Sequence, residues 1–159
     1  MKQVSLQAIE KAIGVVDNLT DDQLENITEL YASAQEALLG YVMTAPDEYK
    51  NEDLEGLLIY YFCLVLEAFK QEGIELRAVT EADIDELEEP YFDMLDQYFE
   101  SEDEEIIESF CDQPQLAQFM AMEVSEDDED GSALSEETAT QLFIVCLAMI
   151  SLLNRAIVA

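Results

Sequence analysis

Two stretches of this chain are apolar on every face: Leu57 to Leu66 reads LLIYYFCLVL, and Leu142 to Leu153 is apolar except for Ser151. A surface helix hides one stripe and shows the rest to water, but a helix that is hydrophobic all round must be enclosed by other elements. The two runs therefore predict central helices, at about residues 52–72 and 135–158, with the remaining chain wrapped around them. A second copy of the chain could supply part of that cover, so a homodimer through these faces is one expectation. The second run is also the one membrane candidate. It is about 12 residues long where a span needs about 20, and Thr138, Thr140, Gln141, Asn154 and Arg155 flank it with polar groups, so a buried core helix is the better reading.

The flanking segments carry helical periodicity. Leu6, Ile9, Ile13 and Val16 share one face of a helix over 4–16 that Asn18 ends, and Thr20 with Gln23 forms a capping-box pattern for the next. Leu24, Ile27, Tyr31, Ala34, Leu38 and Tyr41 then form a single bundle-type seam. Asn51 can cap the third helix, which Gly73 stops. Ile74 to Val79 is a short strand or a linker. Thr80 caps a fourth helix with the seam Ile84, Leu87, Tyr91, Met94 and Tyr98, and Pro90 inside it predicts a kink or a split near Glu89. Short helices over 104–110 and from Pro114 through Met122 follow. The expectation is an all-α, single-domain bundle of six or seven helices over residues 1–159, with an acidic loop at 123–137; a chain of this length buries roughly two thirds of its unfolded surface.

Charge is the second constraint. The chain holds 38 acidic and 6 basic residues, for a net charge of −32. From residue 78 to residue 154 there is no Lys or Arg, while that stretch carries 23 Asp and Glu. Solubility is satisfied by a net charge of about 2 to 8, so the excess calls for another explanation: a use, or adaptation of the host to high salt. Direct nucleic-acid binding needs Lys and Arg to displace counterions, and anionic membranes repel such a chain. With no His, the Ser-His and Cys-His nucleophile pairs are excluded. Cys63, Cys111 and Cys146 sit in apolar contexts and read as reduced core residues. The amino terminus lacks the apolar core of a signal peptide, so a cytoplasmic setting is expected.

Two metal readings compete. Glu126 to Glu137, EDDEDGSALSEE, places Glu126, Asp128, Asp130 and Glu137 at ligand positions 1, 3, 5 and 12 of an EF-hand-like loop, with Gly131 at position 6. Position 1 is normally the shorter Asp, and no second loop partners this one. Pairs Glu52 with Glu55, Glu100 with Asp103, and Glu105 with Glu108 could hold Mg²⁺, as in all-α nucleotide pyrophosphohydrolases. Such acid-x-x-acid pairs are expected by chance in a chain this acidic, and residues 78–154 offer no cation for a phosphate. A non-enzymatic protein without a cofactor is the preferred expectation.

The charge spacing points to another use. Positions 81–112 hold 15 acids, roughly one per 3.2 Å along a straight helix, against 3.4 Å per charge along one DNA strand. In charge and size alone, the chain is similar to the acidic DNA-mimic inhibitors of phage and bacterial anti-restriction and anti-defence systems, and to small immunity proteins that neutralise basic nucleases. That resemblance implies a basic partner, a nucleic-acid-binding protein or nuclease, and carries no residue assignments with it. The expected contact residues are Glu81, Asp85, Glu88, Glu89, Asp93, Asp96 and Glu100, continuing through Glu102, Asp103, Glu104, Glu105 and Glu108. A second patch comprises Glu126, Asp127, Asp128, Glu129 and Asp130. Tyr49, Tyr98 and Phe99 are the candidate aromatic anchors beside them.

Overall fold

The computed structural model describes residues 3–125 and 136–158. The chain is an all-α bundle, with nine helical segments among the described residues: α1 (Leu6–Asp17), α2 (Asp21–Ala34), α3 (Glu36–Val42), α4 (Ala45–Glu48), α5 (Asp53–Gln71), α6 (Glu81–Ser101), α7 (Glu104–Cys111), α8 (Pro114–Ser125) and α9 (Glu136–Arg155). The count exceeds the six or seven expected because the second predicted helix is broken and a single turn, α4, follows it.

The two apolar runs lie at the centre. On α5 every residue from Tyr61 to Phe69 is buried, and on α9 the buried set includes Leu142, Phe143 and everything from Val145 to Leu153. The two helices pack on each other; α1 and α2 cover α5, while α8, α7, α6 and α3 cover α9. Most of the two runs that the sequence offered to a second copy is thus covered within one chain, with Leu57, Ile59, Tyr60 and Ile144 half-buried. By length and composition α9 could cross a membrane, and most of its apolar window is buried in this core. Cys63, Cys111 and Cys146 are free thiols inside it.

Local signals place the helix ends. Thr20 and Gln23 form the expected capping box, and Thr80 forms another with Asp83. Gly73 takes a left-handed conformation, φ 77°, after α5, where the Ile74 amide returns to the Phe69 carbonyl at 3.0 Å. Asn51 sits one residue before the α5 cap: its Oδ1 accepts from the Asp53 amide at 3.2 Å, and its Nδ2 donates to Thr138 and Gln141 of α9, both at 2.9 Å.

Two expectations are corrected. The seam from Leu24 to Tyr41 is interrupted at Gln35, whose φ of −134° and ψ of 53° separate α2 from α3. The break turns the Gln35 side chain inward, where it is 4% exposed. There its Nε2 donates to the Arg77 carbonyl at 2.9 Å and its Oε1 accepts from the Val79 amide at 2.8 Å. The segment held in this way is extended, and Leu76 pairs antiparallel with Ile157 in an isolated bridge, with no strand formed among the described residues. Pro90, expected to kink or split its helix, does not split it: α6 runs unbroken from Glu81 to Ser101. Proline removes the donor for the carbonyl one turn earlier, that of Glu86, and both residues are exposed, so water can take the place of the lost donor.

The Gln35 clamp makes a stability prediction. Gln35→Ala leaves the buried Val79 amide without its acceptor and should destabilise the fold by about 1–3 kcal/mol in urea denaturation, whereas Leu30→Ala, at a 63% exposed position, should change it by less than about 0.5 kcal/mol.

Candidate functional site

α6 builds the acidic surface. Its seam of Ile84, Leu87, Tyr91 and Met94 is buried, with Tyr98 half-buried at the end, and the Tyr91 hydroxyl donates to the Ile144 carbonyl of α9. Fixing that face fixes the opposite one. Glu81, Asp85, Glu88, Phe92, Asp96 and Phe99 follow one another at 4-3-4-4-3 spacing, so they share the outward face, and all are exposed. Glu89, Asp93 and Glu100 flank them and are exposed as well.

The helix start anchors this array. The Arg77 guanidinium grips Asp83 at 2.7 and 3.1 Å, and the Thr80 amide donates to the same carboxylate at 2.9 Å. These donors hold the Asp83 carboxyl well below the usual carboxylate range, the Arg77 hydrogen bond being the largest cause. It is the one ion pair among the described residues. Asp83 is therefore a structural carboxylate. The other eight acids of α6 stand along a helix of about 32 Å, roughly one charge per 4 Å. Burial first, then the charges of Glu88 on α6 and Glu48 on α4, push the Tyr41 phenol up to about 12, and burial together with Glu104 and Glu102, beyond the end of α6, raises that of Tyr98.

After Ser101 the chain reverses. Glu102 adopts a left-handed conformation, φ 58°, and Asp103 caps α7 by accepting from the Glu105 amide at 3.0 Å. Glu102, Asp103, Glu104 and Glu105 are exposed, while Glu108 is half-buried and accepts from Gln118 Nε2 at 2.8 Å. The structure thus places the acids of residues 81–105 along α6 and α7, continuous through Pro90 and interrupted only by the turn at Glu102 and Asp103. Between the two helices runs a groove of about 660 Å³. Met94, Ile106 and Phe110 form its floor, and the exposed carboxylates of Asp93, Asp103 and Glu105 form its rims.

Of the expected aromatic anchors, Phe99 is 51% exposed, and Tyr49 and Tyr98 are half-buried. Phe92, at 57% exposed, was missed by sequence reasoning. Its position off the seam, one residue beyond Tyr91 and seven before Phe99, is the signal that could have found it.

Glu126, Asp127, Asp128, Glu129 and Asp130, and with them most of the EF-hand-like loop, lie outside the described residues. Glu137 stands in the first turn of α9 and accepts from Gln141 at 3.3 Å. Glu52 and Glu55 lie at the start of α5, Glu100 and Asp103 straddle the α6–α7 turn, and Glu105 and Glu108 lie on α7. Among the described residues no three acidic or thiol side chains come together as a metal-binding group.

No protein-family model matches the chain, and no curated protein or solved structure matches it significantly. The reading of this surface therefore rests on its own geometry.

The Asp83 anchor gives a pH prediction. A carboxyl depressed in the folded state stabilises above its unfolded-chain pKa of about 3.9, and that stability is lost as pH falls through the lower folded-state value. Wild type should therefore exceed Asp83→Asn in stability near neutral pH. In urea denaturation at a series of pH values the gap should be full above about pH 5 and close progressively as the pH drops further.

Proposed function

We propose that the chain is a non-enzymatic interaction protein that binds a basic surface of another protein, a nucleic-acid-binding protein or a nuclease, by presenting carboxylates where that partner binds phosphates. The observation that carries this reading is α6: one continuous helix whose inner face is locked into the core and whose carboxylates, apart from Asp83, form no ion pair among the described residues. Arrays of fixed like charge steer association with an oppositely charged groove and compete with the polyanion that normally fills it. Phe92 and Phe99, exposed on the same face, supply the kind of aromatic anchor that gives such a contact specificity. The α7 carboxylates extend the surface around the turn.

The test is affinity capture from lysate at low salt with a salt-gradient elution, beside a control in which Asp85, Glu88, Glu89, Asp96 and Glu100 are changed to their amides. These five are exposed and make no capping bond, so the fold should stand. The expected result is a basic nucleic-acid-binding protein retained by the native chain and lost by the control. With that protein purified, affinity should fall by about 10³-fold or more between 50 and 200 mM salt if six or more charges engage, and the chain should displace a bound oligonucleotide. Binding that is indifferent to salt, or a mixture of proteins held equally by the control, would sink the reading.

A further inference from the structure

We propose that the groove between α6 and α7 receives an amphipathic helix of the partner that carries an apolar stripe flanked by arginines. This rests on the reading of the acidic surface as a protein-binding site and names the element that surface takes. A phosphate backbone is charged and hydrated throughout, so a surface that copied it and nothing more would have no use for an apolar floor. Here the floor is present. Met94 is buried and Ile106 and Phe110 are half-buried, facing a groove of about 660 Å³, a volume in the range that takes a drug-sized ligand and so suits a few side chains from one face of a helix.

The rims decide what kind of helix. Asp93 stands on the α6 side, and Asp103 and Glu105 on the α7 side, and the sequence holds no Lys or Arg between residues 78 and 154 that could answer them locally. An apolar floor between two acidic walls complements a helix whose apolar stripe has cations on both flanks. Arginine fits better than lysine: its planar fork matches a carboxylate, it is less strongly hydrated, and it stacks on an aromatic face such as that of Phe110. The reversal at Glu102 and the Asp103 cap, which bring the short α7 back beside α6, are what create the groove.

The test uses two labelled synthetic peptides of Leu, Ala and Arg, identical in composition. In one the leucines share a single helix face; in the other the order is scrambled so that no apolar face forms. Fluorescence anisotropy with the full chain should show the amphipathic peptide binding about tenfold or more tighter, the scale of burying one leucine side chain. Ser109→Trp, at an exposed position lining the groove, should fill it and abolish that preference while leaving the scrambled peptide's affinity unchanged, and Ile106→Asn should do the same. Circular dichroism confirms that each variant is folded, and Ser109→Trp, which replaces an exposed side chain and removes none from the core, keeps the test available if Ile106→Asn fails that control. Equal affinity for the two peptides, or a preference that survives Ser109→Trp, would overturn the groove and leave the acidic surface standing. Failure of both peptides to bind would overturn both.

Discussion

Burial of α5 against α9 supplies the free energy that keeps so many carboxylates close together. Acidic pairs four apart on α6 join residues 81 and 85, 85 and 89, 89 and 93, and 96 and 100. Each costs about 0.2–0.5 kcal/mol, and the four together about as much as burying one large apolar side chain contributes, roughly 1.5–3 kcal/mol. α6 alone buries Ile84, Leu87, Tyr91, Met94 and Leu95. That burial opposes the local repulsion along the helix, provided that the helix has an apolar centre to pack on, and α9 supplies part of it.

Buried amides tie the outer segments to this pillar. Gln113 is fully buried, accepts from the Val4 amide at 2.8 Å and donates to Asn154 at 2.9 Å, linking the chain's beginning to the end of α9. Gln35 holds the extended segment 77–79, and that segment presents the Arg77 guanidinium to Asp83 at the start of α6. A buried amide is stabilising when both ends are satisfied and costly when one is not. These residues therefore fix position rather than add bulk stability, and the orientation of the acidic helix is inherited from them.

The sequence makes some of this legible and hides the rest for identifiable reasons. All-round apolarity locates α5 and α9, and the Thr20, Thr80 and Gly73 signals locate helix ends, because each depends on residues adjacent in the chain. The break at Gln35 is invisible locally: Tyr31, Ala34, Leu38 and Tyr41 keep helical spacing across it, and only the distant groups at 77 and 79 reward the interruption. Pro90 misleads in the opposite direction, since the cost of a missing helical donor depends on whether the orphaned carbonyl is exposed. The groove could not be read at all, because Met94 and Ile106 belong to different helices and meet only after the chain turns back at Glu102.

Segregation of the charge bears on why the protein is so acidic. A surface adapted only to concentrated salt has reason to be acidic wherever it meets water, yet residues 1–77 carry a net charge of only −10, with five of the six cations, and residues 78–154 carry −23. Glu also outnumbers Asp, 24 to 14, and the core is rich in large aliphatics. Within the acidic half nine of the 23 carboxylates lie on one helix, α6, beside two exposed phenyl rings that solubility would remove. A flexible acidic loop would lose conformational entropy each time it met a partner, whereas α6 has already lost it in folding. Placing like charges on a helix is the unfavourable choice for the isolated chain and the favourable one for binding, an opposition that the proposed binding role would account for.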